Sequence, residues 1–436
     1  MDILLNAVVI SVLVVVVLSL LRINVLFALI VGSLVAGMIS GISITDTTTL
    51  MISGMGNQGE TALSYILLGV FAVMISLSGI TKLLVQGILK VLSGKRIILV
   101  FSLAVIASFS QNLVPVHIAF IPILIPPLLI VFDRMQIDRR AVATALTFGL
   151  KFPYITIPFG YGLLFQGIIF KEMTVNGMDV TKKEIMISML FPGMAMIVGL
   201  LVAILITYRK KRPMNESSRQ PAFEAKEEKV MWNMYHTFTI IAIIGALVTQ
   251  IWIESLVLGA LVGIIVMFLT RVVPMKKGDD VIHQGISMMG MIAFVMLVAS
   301  GYATVLTKTG AVDGLVEETL RFTGESHIII AIVLLLVGLL ITIGIGTSFG
   351  TIPILASLYV PILIAVGMSP LASAALIGIA GALGDAGSPA SDSTLGPTAG
   401  LNADGKHHHI WDTCVPTFLH FNIPLFIFGV LAVIIL

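Results

Sequence analysis

Two carboxylates, Asp385 and Asp392, stand seven residues apart in the stretch from Gly384 to Gly400, which also holds four glycines, two prolines and several hydroxyls. Long apolar runs flank it on both sides. Proline removes a backbone donor and clashes with the preceding turn, and glycine weakens a helix further, so no regular helix is expected here. Inside a bilayer such backbone survives only where it is buried in protein or lines a wet cavity. A carboxylate at membrane depth costs about 2.5–3.5 kcal/mol by insertion scales, which makes it a functional candidate. Unwound carbonyls with hydroxyl and carboxylate oxygens suit sodium, a hard cation. Asp385, Asp392, Ser393 and Thr394 are the expected cation ligands, and Ser388 is expected to face a solute.

Three further polar interruptions lie in apolar surroundings. The first offers Ser108, Ser110, Gln111 and Asn112, with His117 close by; the second Lys151, Tyr154 and Thr156; the third Thr342, Thr347, Ser348 and Thr351. If all four interruptions converge, half-helix N-termini present free N–H groups that suit a solute carboxylate. Ser and Thr in membrane helices often bond only their own backbone or a neighbouring helix, so single hydroxyls are weak signals. Lys151 is either a counter-ion or a side chain that snorkels to the surface. The run His407-His408-His409 lacks metal-ligand spacing, because consecutive side chains point in different directions. It reads as an interfacial segment anchored by Trp411, with histidine titration near neutrality as a second role to weigh.

These sites need a membrane scaffold, and composition supplies one. Of 436 residues, 58% are hydrophobic and 11% charged; a soluble domain carries about 25% charged residues. The class is a polytopic membrane protein. A net charge of +2 gives no reason to expect nucleic acid as a partner, and one cysteine, Cys414, excludes an intramolecular disulfide. The N-terminus lacks a basic region, and the run from Ile3 to Leu21 is too long for a signal peptide, so it reads as the first span. Apolar runs follow near 25–44, 61–80, 97–132, 141–169, 186–207, 236–253, 255–270, 286–306, 328–366, 370–400 and 411–436. The runs 97–132 and 328–366 are too long for one span and have polar centres. Each reads as a hairpin that enters and returns, although two full spans would look the same.

A shift of 231 residues aligns the halves without a gap. Gly79 meets Gly310, Pro122 meets Pro353, Ala141 meets Ala372 and Pro158 meets Pro389. Lys151 to Pro158 then falls opposite the aspartate-rich stretch. Broken helices at matching positions of two repeats point to a transporter binding site. After its third helix the first half carries Lys82, Lys90, Lys95 and Arg96 with no acid; the second carries Lys308 and Arg321 against Asp313, Glu317, Glu318 and Glu325. By the positive-inside rule the first loop is cytoplasmic and the second external. The expectation is two inverted repeats, residues 1–209 and 232–436, joined by a charged cytoplasmic linker at 210–231. About ten spans and two hairpins result, with both termini outside the cell membrane.

The stretch from Gly384 to Thr398, continuing into Ile410-Trp411-Asp412-Thr413-Cys414-Val415-Pro416-Thr417, resembles the NhaC-type sodium/proton antiporter family of the broad ion-transporter superfamily. It is most similar to the bacterial branch assigned to amino-acid transport, histidine among the assigned solutes. The similarity runs through the whole chain. It implies paired re-entrant hairpins, discontinuous helices, a homodimer and elevator-like motion. It also implies contacts at Gln111-Asn112, at Thr347-Ser348, and at Asp385, Ser388 and Asp392. The first-half break carries Lys151 and Tyr154 where the second has Ala382 and Asp385, which argues against a doubled cation site.

The expectation is an all-α secondary transporter without a resident cofactor, in which Na+ or H+ drives a small solute, an amino acid. The contact set is Ser110, Gln111, Asn112, His117, Lys151, Tyr154, Thr347, Ser348 and Ser388 for the solute. The alternative is direct sodium/proton exchange at Asp385. An intramembrane aspartyl protease is a third class; its Gly-x-Gly-Asp signature is absent, since the chain reads Ala382-Leu383-Gly384-Asp385. A channel does not fit breaks in both halves, which suggest a closed midplane site.

Overall fold

In a computed structural model the chain forms a bundle of helices, and the structure describes residues 6–21, 23–80, 83, 96–112, 121–210, 212, 231–253, 255–310, 314, 321, 326–345, 347–389 and 391–436. The first half holds α1 (Ala7–Leu20), α2 (Val25–Ile39), α3 (Ile44–Met55), α4 (Gly59–Leu77), α5 (Arg96–Asn112), α6 (Ile121–Arg134), α7 (Arg139–Thr156), α8 (Tyr161–Val175) and α9 (Lys182–Thr207). The second holds α10 (Met234–Ile253), α11 (Leu256–Leu269), α12 (Gly278–Lys308), α13 (His327–Ile345), α14 (Ser348–Ala365), α15 (Pro370–Ala382), α16 (Asp392–Leu401) and α17 (His409–Ile435). Among the described residues six helices are long and apolar enough to cross a bilayer, or seven if α7 and α8, bent by 51°, count as one. Shorter apolar helices such as α2, α11 and α15 fill the spaces between them.

Helix boundaries recur at the offset read from the sequence. Helices α5, α7 and α8 start at Arg96, Arg139 and Tyr161; α13, α15 and α16 start at His327, Pro370 and Asp392. Helices α4 and α6 end at Leu77 and Arg134; α12 and α14 end at Lys308 and Ala365. Gly79 and Gly310, the paired glycines, both have positive φ, 81° and 70°. That left-handed conformation is cheap only for glycine.

The ends of the bundle can be told apart by their contacts. At one end Arg96 donates to the Arg209 carbonyl at 3.1 Å, and Arg212 lies 3.5 Å from Asp138 and 3.8 Å from Asp412. This end therefore holds the start of α5, the N-cap of α7 and the start of α17. Helix α17 runs 27 residues, or about 40 Å at 1.5 Å per residue. At its far end the Leu436 carbonyl accepts from Ser369, the N-cap of α15, at 3.1 Å. There too His327, at the start of α13, contacts the Val366 carbonyl at 2.9 Å, just past α14. Helices α13 and α14 thus leave and return to the same end. The starts of α7 and α15 lie at opposite ends.

The stretch 384–400 departs from the sequence expectation in its second part. Residues 383–389 and 391 are unwound, but Asp392–Leu401 is helical despite Gly396 and Pro397. Ser391 caps it, its hydroxyl accepting from the Ser393 N–H at 3.1 Å. Pro397 cannot donate to the Ser393 carbonyl four residues back. Thr147 on α7 does so instead, its hydroxyl donating to that carbonyl at 2.7 Å.

Large apolar side chains cover the outside, where lipid would lie: Trp252 is 85% exposed, Leu269 73% and Ile206 71%. Among the described residues the inside holds two apolar clusters: the larger joins both halves, with Leu103, Leu146, Phe165, Ile352, Leu376 and Phe421 fully or almost fully buried, and the smaller gathers Phe71, Met74, Ile243 and Met267.

The linker end is latched by charge. Arg139 donates to both Asp404 carboxylate oxygens at 2.7 Å, to Asp133 at 3.1 Å and to the Leu401 carbonyl at 3.1 Å. This ties α6, α7 and the loop after α16. Beside it the three histidines serve three separate purposes. His407 is buried and shares a hydrogen bond with Thr413 at 2.7 Å; His408 caps the next turn, accepting from the N–H groups of Ile410 and Trp411; His409 contacts Thr398 at 2.8 Å. Burial outweighs the nearby Asp412 carboxylate and pushes the His407 imidazole down to about 4. An unfolded imidazole titrates near 6.5. Its contribution is therefore fully present above about pH 6.5 and is lost as pH falls toward 4, on the order of 3 kcal/mol. Melting of detergent-solubilised protein across this range should fall in the wild type and flatten in His407→Gln; equal slopes would remove His407 as the cause.

Candidate functional site

The unwound turn between α15 and α16 is shaped by two glycines. Gly384 has φ 81° and Gly387 φ 119°. A Cβ on Gly384 would sit 2.8 Å from the Leu339 carbonyl oxygen, and one on Gly387 2.8 Å from the Phe418 Cα. Both conformation and close approach demand glycine. The freed backbone groups are re-satisfied by Asn422 on α17. Its Oδ1 accepts from the Gly384 N–H at 3.0 Å, and its Nδ2 donates to the Ala386 carbonyl at 2.9 Å. Thr394 braces the same turn, its hydroxyl donating to the carbonyls of Ser388 and Ser391.

This turn aims Asp385 inward, where it is 5% exposed. Its Oδ2 forms an ion pair with the Lys151 ammonium and accepts from the Ser348 hydroxyl, from the Ser348 N–H at 3.1 Å and from the Tyr154 hydroxyl at 3.4 Å. Its Oδ1 accepts from the Ser391 hydroxyl. Lys151, 2% exposed, also donates to Tyr154 at 3.1 Å and to Ser348 at 3.4 Å. Lys151 thus acts as a counter-ion and does not snorkel. Ser348 opens α14 and Ser391 caps α16, so two helix N-termini converge on one carboxylate. The Ser391 hydroxyl lies 2.8 Å from that of Ser393 and extends the oxygen-rich patch.

Four expected residues, Lys151, Tyr154, Ser348 and Asp385, meet directly, and Ser393 joins through Ser391. Asp392 opens α16 half-buried, within electrostatic reach of Lys151, Tyr161 and Tyr65. Thr347 is the N-cap of α14, and its carbonyl accepts from Thr351. Ser388 donates to the Ile343 carbonyl at 3.2 Å. Ser110, Gln111 and Asn112 form the last turn of α5, but their side chains lie outside the described residues, as does all of His117. Sequence reading passed over Ser391 and Asn422. Ser391 carried a usable signal, a serine directly before an acidic first turn. Asn422 is one polar residue in an apolar helix, and only its distant partners reveal its work.

An aromatic layer covers the ion pair. The Tyr154 ring packs on Phe349 at 4.9 Å and on Phe165 at 5.3 Å between centroids; Tyr65 packs on Phe349 at 5.5 Å and faces Tyr161 at 6.3 Å.

An all-helical bundle with a lipid-matched exterior, discontinuous helices and a buried carboxylate at their break defines a multi-pass membrane transport protein. Residues 145–430 match the Na+/H+ antiporter family and residues 6–92 a second Na+-H+ antiporter family. The chain belongs to the Na+/H+ antiporter family. It is 47% identical to an uncharacterized membrane protein of Vibrio parahaemolyticus, over 99% of this chain and 100% of that one. It is 43% identical to YuiF of Bacillus subtilis, provisionally named an amino acid transporter, over 99% and 100%. Two solved structures share its fold at 15% identity. The Alcanivorax borkumensis YdaH transporter, described as having an unusual topology, has a TM-score of 0.59 over 89% of this chain and 87% of its own. MtrF of Neisseria gonorrhoeae, ascribed to a class of antimetabolite efflux pumps, has 0.58 over 90% and 84%. The protein is a cation-coupled membrane transporter.

Proposed function

We propose that the chain couples movement of sodium or protons to movement of an amino acid across the cell membrane, with Asp385 as the carboxylate that binds the coupling ion. The buried contact between Asp385 and Lys151 carries this reading. A sodium ion would seek the carboxylate oxygen that the Lys151 ammonium occupies. Two cations at one oxygen repel each other, so sodium can bind only when Lys151 withdraws or gives up its proton. The oxygens of Ser391 and Ser393 would then complete the ion's ligands. Asp392 adds negative charge nearby. Thr394 also braces the turn by donating its hydroxyl to two carbonyls, which leaves its oxygen lone pairs for the ion. Lys151, Tyr154, Thr347, Ser348 and Ser388 belong to the solute side, together with Ser110, Gln111, Asn112 and His117 if the first hairpin closes over them. The name of the Bacillus relative supports an amino acid as solute.

A second reading, exchange of sodium for a proton with no organic solute, is favoured by the same contact, since a proton on Lys151 and a sodium ion on Asp385 exclude each other. Uptake of labelled amino acids into proteoliposomes under an inward sodium or proton gradient separates the two. Gradient-driven accumulation supports amino-acid transport. A sodium-dependent lumenal pH change without accumulation moves the assignment to exchange, and silence in both assays from folded protein sinks both.

We propose further that residues 1–209 and 232–436 are inverted repeats about a cytoplasmic linker at 210–231, with both termini external. Three observations support this: helix boundaries recur 231 residues apart, the starts of α7 and α15 lie at opposite ends, and Tyr154 touches its own repeat mate Asp385. Contact between mates is what a two-fold axis through the site requires. The family resemblance supports a homodimer moving as an elevator, which cysteine crosslinking between copies in membranes would test.

A further inference from the structure

A cavity of about 360 Å³ lies between α4, α8, α9, α10 and the start of α11. This is within the size range of small-molecule sites, about 300–1,000 Å³. Two glutamines line it, Gln166 (4% exposed) and Gln250 (5% exposed). Gln166 donates from Nε2 to the Ile155 carbonyl at 3.1 Å, which leaves its Oε1 buried with no hydrogen-bond partner. Gln250 has its Nε2 buried with no partner. A buried amide atom left unpaired costs about 1–3 kcal/mol, so two at the border of one cavity are an unusual expense for packing alone; both atoms are closed off as the amides stand, and a turn of each side chain would bring them to the cavity. One is an acceptor that lacks a donor, the other a donor that lacks an acceptor. Glu60, Lys171 and Lys182 add charge of both signs to the cavity wall.

We propose that this cavity binds a small zwitterion, its ammonium donating to Gln166 Oε1 and its carboxylate accepting from Gln250 Nε2. The proposal rests on the amino-acid reading above and gives the solute a site separate from the ion pair. Helix α9 starts at this cavity, and Ser188 on it donates to the Leu371 carbonyl beside the start of α15, so the cavity lies toward the bundle end away from the linker. Its floor is the α7–α8 break. Pro158 of the break lines it, and Gln166 holds the carbonyl of Ile155, next to Tyr154. Gln250 also borders a void of about 20 Å³ against Gly160 and Tyr161. Tyr161, which borders that void, belongs to the same aromatic layer as Tyr154, through Tyr65 and Phe349. A solute in the cavity would thus press on the break whose other face holds Tyr154 against Asp385, a direct path from solute to ion. A crevice for a lipid tail would have no use for two unpaired amides.

Two variants of the full-length protein test this in proteoliposomes given a mixture of radiolabelled standard amino acids under an inward sodium or proton gradient. Gln250→Leu should raise KM about tenfold or more, the loss of one hydrogen bond to a charged group. It should melt no lower than wild type, because it deletes an unpaired amide. Gly167→Phe should abolish uptake by filling the cavity. A Cβ at Gly167 meets nothing within 4 Å, so this variant remains decisive if the glutamine variant fails to fold. Wild-type uptake with KM unchanged in both folded variants overturns the cavity site and leaves coupled amino-acid transport standing. Wild type that takes up no amino acid under either gradient overturns that transport reading, and the cavity proposal with it. A phospholipid retained by wild type and lost from Gly167→Phe, with uptake unchanged, assigns the cavity to lipid instead.

Discussion

Asp385→Asn is expected to abolish gradient-driven uptake, with a loss of at least about 100-fold, and to lower stability as well. An amide accepts poorly from an ammonium and cannot neutralise Lys151, which is 2% exposed. Removing one partner of a buried ion pair costs about 3–5 kcal/mol, because the other charge stays buried and uncompensated. A second substitution separates the two consequences. In Asp385→Asn with Lys151→Met no charge is left in the pocket, so the melting temperature should return toward wild type while uptake stays absent. Transport restored in the double variant would show that the carboxylate serves only to hold Lys151, and the ion-coupling role would fall. Sodium-dependent stabilisation of the purified protein offers an independent reading. Wild type should melt higher with sodium than with choline at equal ionic strength, and both variants should lose that difference.

Asn422→Leu has the next largest expected effect, and it acts on a different link. Asn422 is not expected to touch ion or solute; it replaces hydrogen bonds that the chain forfeits by unwinding at 383–389. Leucine would leave the Gly384 N–H and the Ala386 carbonyl unpaired in a site with no bulk water, a cost of about 1–3 kcal/mol each. The turn should then drift, and Asp385 with it. Uptake should fall at least about tenfold, the melting temperature should fall in parallel, and activity should partly recover on cooling. Asp385→Asn should not recover at any temperature, because its defect is chemical. Undiminished uptake in Asn422→Leu would show that the turn is held well enough by Thr394 and the two glycines.

The membrane class and the break that carries Asp385 were legible in the sequence for physical reasons. Lipid forbids loose backbone and unpaired charge, so glycine, proline and aspartate inside an apolar run stand out without any knowledge of the fold. The offset of 231 residues was legible too, because glycines and prolines mark special backbone positions, and helix boundaries recur at the same offset. Asp392 shows where the same logic overreached. Glycine and proline disfavour a helix only while their lost hydrogen bonds go unreplaced, and Thr147, 246 residues from Ser393, replaces at the Ser393 carbonyl the bond that Pro397 removes.

What the sequence alone determined about this protein is therefore its solvent and its weak points: an apolar chain, two matching breaks and one carboxylate that had to find a partner. Which partner it finds was decided by tertiary structure. Lys151 could equally have reached for the membrane surface; it pairs with Asp385 because α7 packs beside the turn and two helix starts close around it. Asn422 gains its partners in the same way, from a turn 36 to 38 residues back along the chain. Local spacing records where a helix must break, whereas the partner that a buried polar atom meets, or lacks, depends on how distant helices pack.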